Sequence, residues 1–422
     1  MDNRWIKIGA LGLVLALAAG LRFADLSRSA VRSDEINFLN YVERNQSLVD
    51  LWKTPPWFNQ IPLADSVPIV WARLTRQGAS EAVVRQPFAL LGWLTVAFGA
   101  LWATRRRGLG AGLLLGAWLA ILPFHVYHSR EAYYYVLAMF FAAGMVWRGA
   151  DFAAKLRGGG RLLAREYAEW TLWTLLACMG HMSAWVVAGV AWLVLAASGL
   201  GGAAATGRKR HGMAMGIVTA ALALGMIRWV LRALYEMQRA AANPDAHIAS
   251  AFDFVGPRVL PFFAGGANAI GIAILAAAVA AAGWVFWKSR GRPGRGDPLY
   301  GSLAWLALGG LAGSYFYITA VGGGEKAKLA YFAANLPAFL AFAACSIDRA
   351  FSGAGAGRRL ALDAGVAAAL VALLAMPAWQ VTRLEGKTTA YRVLRAWLDA
   401  NLAPGDAVVV DRWYEPWNEM AR

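Results

Sequence analysis

The chain contains few charged residues, fewer acidic than basic ones, and almost no cysteine. Only 16% of its 422 residues are charged and 59% are hydrophobic, a balance that excludes an ordinary soluble domain. The two cysteines, Cys178 and Cys345, stand singly inside apolar segments, so neither a disulfide framework nor a cysteine metal site is predicted. The apolar residues come in blocks of bilayer-spanning length. We therefore predict an all-α polytopic membrane protein.

Taking about 20 apolar residues per span, we count eleven apolar segments. The first follows a basic amino terminus but offers no small-residue cleavage site, so we interpret it as a retained anchor. A break at Gly180 to Ser183 is needed to divide one long apolar stretch into two spans. The predicted spans are roughly 6–26, 88–104, 109–127, 131–149, 167–180, 183–199, 213–234, 261–287, 299–320, 329–347 and 360–379.

The net charge of +16 comes from basic residues clustered in short loops between apolar segments. With a cytoplasmic amino terminus, every dense cluster falls on the inner side, as the positive-inside rule requires. The charge therefore marks cytoplasmic loops and does not indicate nucleic acid binding. We expect the protein to lie in a bacterial inner (plasma) membrane. The clusters are 105–107, 148–165, 208–210, 288–295, and Arg349 with 358–359.

The largest external loop, residues 27–87, begins with an acidic pair. Ser33 is predicted to cap a helix whose first turn holds Asp34 and Glu35. Charges beside a bilayer are costly unless they have a function. The helix would lie along the interface and present one apolar face, formed by Ile36, Leu39 and Val42. Two further external loops are predicted: a polar loop that could serve as a lid, 235–259, and a glycine-rich loop before two lysines, 322–328.

The ionisable residues of this topology converge on the external side. A partly desolvated carboxylate can act as a general base, and cations can offset charge that develops on a phosphate. Each residue also has a structural interpretation: the acids favour a helix dipole, the cations anchor at the interface, and the histidines make polar contacts at a helix end. The histidine spacing of three leaves metal binding open. The residues are Asp34, Glu35, Arg85, His125, His128, Arg130, Glu131, Lys326 and Lys328.

Three short motifs carry a family resemblance. They are Ser33-Asp34-Glu35-Ile36, Gln60-Ile61-Pro62-Leu63 and Arg85-Gln86-Pro87. In these the chain resembles GT-C superfamily glycosyltransferases, close to the dolichyl-phosphate-mannose protein mannosyltransferases and the lipid A aminoarabinose transferases. The resemblance runs from the first span to the start of an external carboxyl-terminal region. It implies a bundle of about 11 transmembrane helices with interfacial helices in the first external loop, and it gives Asp34 the role of catalytic base.

The sequence departs from the family pattern at two places. Arg130-Glu131-Ala132-Tyr133 moves a cation by three residues, about one helical turn. Ala330 stands before Tyr331 where relatives often have arginine, and the nearest cations are Lys326 and Lys328. The resemblance thus implies a donor phosphate site drawn from Arg85, Arg130, Lys326, Lys328 and Tyr331, and a polar pocket formed by His125, His128 and Glu131.

The resemblance implies two parts of the chain. Residues 1–379 are expected to form a transmembrane glycosyltransferase domain, and 380–422 an external segment. The sequence from Tyr391 predicts an amphipathic helix, a turn and a strand, the opening of an α/β unit too short to bury a core of its own. This segment either docks on the membrane domain or is the truncated start of a larger domain.

The expected activity is an inverting transfer of a sugar from a polyprenyl-phosphate carrier to a protein, lipid or glycan on the external face. Glu35 would orient the acceptor or support a divalent metal, which remains an open cofactor. A transporter or flippase of a polyprenyl-linked intermediate is the first alternative. Two features count against it. The spans are nearly free of charge, with Arg228 and Arg232 as the main exceptions, and no internal repeat is visible. An O-antigen ligase-like enzyme is the second, and would need 235–259 instead of Asp34.

Overall fold

The computed structural model describes residues 3–27, 33–53, 61–202, 205–241, 263, 265, 269–289, 297–321, 329–382 and 400. Helices account for the regular structure in these residues, and none of them forms a strand. The all-α architecture is thereby confirmed. The predicted α/β unit after Tyr391 lies outside the described residues, apart from residue 400.

The helices are short in the first external loop and long elsewhere. In chain order they are α1 (Asn3–Phe23), α2 (Ser33–Glu43), α3 (Leu48–Lys53), α4 (Leu63–Thr75), α5 (Glu81–Arg107), α6 (Leu109–Ile121), α7 (Pro123–Arg130), α8 (Tyr134–Arg157), α9 (Ala164–Gly180), α10 (Ser183–Gly202), α11 (Ala205–Ala241), α12 (Ala269–Ser289), α13 (Pro298–Val321), the 3₁₀ helix η1 (Leu329–Asn335), α14 (Leu336–Ala350) and α15 (Ala356–Thr382).

Six of the described helices are long and apolar enough to cross a membrane, and a bent pair, α6 with α7, makes a seventh if counted as one span. The six are α5, α8, α10, α11, α12 and α15. Each of the eleven predicted segments overlaps a helix, but the count of eleven spans stays a prediction. One boundary was wrong: α11 continues to Ala241, so the first part of the predicted loop 235–259 is helical.

The predicted break between α9 and α10 is confirmed. Helix α9 ends at Gly180 and α10 begins at Ser183, with His181 between them in extended conformation. Gly180 packs directly on α8, because a Cβ there would lie 3.1 Å from the backbone nitrogen of Ala138. This close approach of two backbones requires a residue without a side chain.

Helix α2 packs against the protein core. Its predicted apolar face is partly confirmed, since Ile36 is buried and Leu39 and Val42 are half-buried against the core. Phe38 is also buried, with its ring 6.0 Å from that of Phe88 on α5. The first turn of α2 is therefore fixed against the amino-terminal end of α5.

The predicted span 109–127 is broken. Helix α6 ends at Ile121, Leu122 is extended, and α7 starts at Pro123 with its axis turned by 57°. Proline has no N–H for the preceding turn but is well suited to the first position of a helix. The residues expected in a turn, His128 and Arg130, are consequently helical.

The end of the bundle with the basic clusters is held by ion pairs. At the end of α5, Arg107 bonds Asp297 before α13 at 2.6 Å and Asp348 near the end of α14 at 3.0 Å. Arg359 near the start of α15 also bonds Asp348. These helix ends therefore lie together, on the side opposite to the first turn of α5.

The remaining basic clusters join the same side. Arg148 on α8 bonds Glu169 on α9 at 2.6 Å, and the hydroxyl of Tyr167 on α9 lies 2.7 Å from Nδ1 of His211 on α11. Arg106 at the end of α5 also pairs with Asp151 on α8 at 2.7 Å. The described members of the clusters thus share one face, while most of 288–295 lies outside the described residues and the direction of that face stays a prediction. The spans are less free of charge than expected, because Arg22 and Asp363 are buried within helices.

We expect Asp348→Asn to lower the free energy of unfolding by about 1.5–3 kcal/mol, since it removes the charged acceptor shared by Arg107 and Arg359. Denaturant titration in mixed micelles measures the change. Glu166→Gln is the matched control: it removes the partner of the exposed Lys155 and should cost no more than about 1 kcal/mol. Equal effects of the two substitutions would contradict the central role of Asp348.

Candidate active site

An ion pair between the first turns of two helices forms the centre of the site. Glu35 on α2 accepts from Arg85 on α5 through both oxygens, with Nε to Oε1 at 2.8 Å and Nη2 to Oε2 at 2.6 Å. The backbone N–H of Ala132 donates to Oε1 at 2.7 Å. Glu35 and Arg85 are 1% and 2% exposed. Three N–H donors therefore hold this carboxylate in a fixed, water-poor position.

Arg85 and Arg130 also bind the backbone at the end of α1. Arg85 Nη1 donates to the carbonyl of Leu26 at 2.8 Å. Arg130 donates to a set of carbonyls that the helix ends leave without helical donors, among them Ala24 at 2.7 Å, Leu21 at 3.1 Å and Thr382 at 3.4 Å. The turn after α1, in which Asp25 has a left-handed φ of 49°, is held by two arginines.

The structure describes some of the predicted phosphate ligands fully and others only in part or not at all. The guanidinium groups of Arg85 and Arg130 face Glu35 and backbone carbonyls, so a phosphate would have to share or displace these contacts. Tyr331 lies in η1 with only its backbone described, and Lys326 and Lys328 lie outside the described residues. Their donor phosphate roles remain predictions.

Asp34 follows Ser33 in the first turn of α2, as predicted. Only its backbone is described. The sequence alone did not rank Asp34 against Glu35 as a base. The structure ties both oxygens of Glu35 to Arg85 and the backbone N–H of Ala132, so its carboxylate is already engaged by protein donors.

The predicted polar pocket is divided between two sets of partners. His128 Nδ1 lies 3.2 Å from Glu131 Oε2, and its ring packs on the rings of Phe124 and Tyr127. His125 is fully buried and faces the other way, with Nδ1 at 2.7 Å from Arg22 Nη2. Although both histidines lie on α7, the two rings do not form one site.

Few of these residues are placed to bind a metal ion. Within the described part of the chain, no three His, Cys, Asp or Glu side chains come together to hold an ion. His125 Nδ1 already contacts an arginine, and a metal on Glu35 would have to replace Arg85. Metal dependence therefore remains an open prediction.

Comparison with solved structures gives a consistent fold. The structure of ArnT from Cupriavidus metallidurans bound to undecaprenyl phosphate matches at a TM-score of 0.62 and 17% identity, over 100% of this chain and 86% of that one. An oligosaccharyltransferase from Archaeoglobus fulgidus matches at 0.60 and 12%, over 98% of this chain and 63% of that one. The chain has the GT-C fold. No family model and no curated protein matches the sequence.

A further match supports the same GT-C fold. The A. fulgidus enzyme AglB, in complex with an inhibitory peptide and a dolichol-phosphate, matches at a TM-score of 0.56 and 14% identity, over 99% of this chain and 64% of that one. The predicted resemblance is confirmed at the level of fold. With its apolar helices, the GT-C fold makes the chain an integral membrane protein.

The buried ionisable residues that the sequence analysis did not single out include Arg22 and Asp65. Arg22 in α1 is fully buried, and its position inside an apolar segment was the available signal. Asp65 on α4 is 3% exposed, and burial raises its pKa to about 7. No cation in the described part of the chain pairs with Asp65. Its signal was weak, because an acid in the first turn of a helix is common.

We predict that Glu35 and Arg85 contribute to the free energy of unfolding as a coupled pair. Glu35→Gln and Arg85→Met should each destabilise the chain by about 3–5 kcal/mol, because each leaves its partner's charge buried and unpaired. The double variant should lose much less than the sum of the two. Denaturant titration of the wild type, the two single variants and the double variant gives the four free energies of unfolding that a double-mutant cycle needs. Additive losses would show that the pair is not coupled.

The burial of Asp65 predicts that the stability of the protein depends on pH. Its carboxyl keeps its proton up to about pH 7 when folded and has an ordinary pKa of 3.8. Between pH 3.8 and about 7, unfolding therefore releases the proton of this carboxyl. As the pH rises from about 4 to 7, the wild type should lose stability relative to Asp65→Asn. The loss should be on the order of a few kcal/mol. Above pH 7 the difference should stay constant. Unfolding titrations across this range test it, with the exposed Asp50→Asn as control; a flat difference for Asp65→Asn would refute it.

Proposed function

We propose that this chain is a membrane glycosyltransferase that moves a sugar from a polyprenyl-phosphate carrier to a protein, lipid or glycan acceptor. The observation that carries the proposal is the GT-C fold, shared with ArnT bound to undecaprenyl phosphate and with AglB in complex with a dolichol-phosphate. The buried charge cluster at the first turn of α2 supports it, because that is where the motif of the resemblance lies.

Asp34 is the proposed general base. It accepts the proton of the acceptor's O–H or N–H group while that atom attacks the anomeric carbon of the sugar. The bond from this carbon to the phosphate oxygen breaks, and the electron pair leaves on the lipid phosphate. One such displacement inverts the anomeric configuration. Because Glu35 is tied to Arg85, we assign Glu35 the task of positioning α2 in place of orienting the acceptor.

The charge balance of the cluster favours an anionic leaving group. Among the buried side chains, three arginines, Arg22, Arg85 and Arg130, stand against two carboxylates, Glu35 and Glu131. The less buried Asp25 and Glu81 also act on Arg130 and Arg85. In a water-poor region the excess of buried positive charge would stabilise a developing phosphate. The proposed phosphate ligands are drawn from Arg85, Arg130, Lys326, Lys328 and Tyr331.

The proposed site faces the external side of the plasma membrane, with the amino terminus cytoplasmic and the carboxyl terminus external. The structure places the basic clusters at the end of the bundle opposite the Glu35–Arg85 pair. The positive-inside rule then directs the pair outward. His128 and Glu131 would border the substrate pocket.

We expect Asp34→Asn to reduce sugar transfer by about 10²–10⁴-fold, because a neutral amide cannot accept the proton. The measurement is release of free polyprenyl phosphate from a panel of polyprenyl-phosphate sugars by the purified protein. Asp50→Asn, an exposed acid of the same loop, is the matched control and should retain activity. Size-exclusion profiles and unfolding curves confirm that each variant is folded.

Two results would overturn parts of the proposal. Full transfer by folded Asp34→Asn refutes the base, and combined with loss of activity on deleting 242–259 it favours the ligase-like alternative. Binding of polyprenyl phosphate without release from any donor, together with movement of the lipid between leaflets in vesicles, favours the flippase.

A further inference from the structure

The short helix α7 is fixed at both ends by arginines. At its start, Arg22 of α1 donates through Nη2 to the carbonyl of Leu119 at 2.8 Å and through Nη1 to that of Ala120 at 2.9 Å. Nη2 also lies 2.7 Å from Nδ1 of His125, in the middle of α7. One guanidinium therefore bridges the last turn of α6 and the body of α7.

The broken span explains why these carbonyls accept from a side chain. In a continuous helix, Leu119 would accept from the N–H of residue 123, which is a proline and has none. The bend at Leu122 likewise takes Ala120 out of the helical pattern. Arg22 donates to both of them, and Nδ1 of His125 lies 3.0 Å from the Leu119 carbonyl as well. The planar, rigid guanidinium group fixes the direction in which α7 leaves α6.

The far end of α7 holds the candidate active site. Arg130, its last residue, binds the turn that follows α1, and Ala132, two residues later, donates to Glu35. Helix α7 is pressed against α5 between these points, because a Cβ on Gly92 would lie 2.1 Å from Oγ of Ser129. A change in the direction of α7 would therefore shift both contacts.

Burying the charge of Arg22 at this place costs free energy. It is fully buried, and its acceptors are backbone carbonyls and one imidazole, with no carboxylate among them in the described part of the chain. Its Nε and the Nε2 of His125 have no partner among the described residues. A buried cation compensated only by dipoles costs free energy, and a neutral residue would fill the space without that cost.

We propose that Arg22 is a positioning residue of the active site. By fixing the direction of α7, it places the Ala132 N–H and the Arg130 guanidinium where they hold Glu35 and the turn after α1, and so sets the orientation of α2. Its effect on catalysis rests on the proposed function; its effect on the contacts of Glu35 does not.

The test compares Arg22→Met and the more conservative Arg22→Lys with wild type by hydrogen exchange and by kinetics. We expect the amide of Ala132 and the first turn of α2 to exchange about tenfold faster or more in Arg22→Met, since their opening is local. The value of kcat/KM for transfer should fall by roughly 10²-fold, as misplaced catalytic and phosphate-binding groups predict. Arg22→Lys, which keeps the charge but not the fork, should fall between the two.

Arg107→Met is the matched control, because it removes a partly buried arginine that bridges three helix ends on the opposite face. It should leave exchange at Ala132 as in wild type. Unchanged exchange in Arg22→Met would overturn the proposal, and so would faster exchange spread evenly over all helices. If wild type transfers no sugar from any donor, the proposed function fails while the exchange data still decide the role of Arg22.

Discussion

The buried ion pair between Glu35 and Arg85 is the contact on which the end of the bundle opposite the basic clusters depends. It joins the first turn of α2 to the first turn of α5, and the N–H of Ala132 adds the start of α8 to the same carboxylate. A charge placed so deeply is tolerated only with a close partner. This requirement fixes the position of the helix that carries Asp34 before any substrate is bound.

The arginines around this pair share one task. Arg22, Arg85 and Arg130 all donate to backbone carbonyls at places where a helix ends or breaks. Such ends leave carbonyls without helical donors, and within a membrane domain no bulk water is present to satisfy them. Side-chain donors on neighbouring helices take that place, so the irregular backbone at these helix ends is hydrogen-bonded.

The two ends of the bundle use charge differently. At the end with the basic clusters, Arg107, Asp297, Asp348 and Arg359 form a network in which cations and carboxylates alternate. At the other end, the buried arginines outnumber the buried carboxylates and donate to backbone carbonyls as well as to Glu35. The first arrangement neutralises itself and ties helices together. The second leaves an excess of buried positive charge, on which the proposed phosphate site depends.

The sequence by itself determined the membrane class, the division of the chain into apolar helices, the break at Gly180, the gathering of basic clusters on one face and the helix that begins at Ser33. These features depend on local composition, hydrophobic length and capping, which act over a few residues. Even the resemblance to GT-C enzymes rested on short motifs around Asp34 and Arg85.

The partners of the charged residues were decided by the tertiary structure. Pattern alone could not show that Arg85 binds Glu35, 50 positions away, that Arg130 turns toward the end of α1, or that Arg22 completes a helix broken by Pro123. It also could not show that burial of Asp65 raises its pKa. Burial and pairing arise only when distant helices pack, because the dielectric surroundings and the hydrogen-bond partners of a charge are properties of the assembled fold.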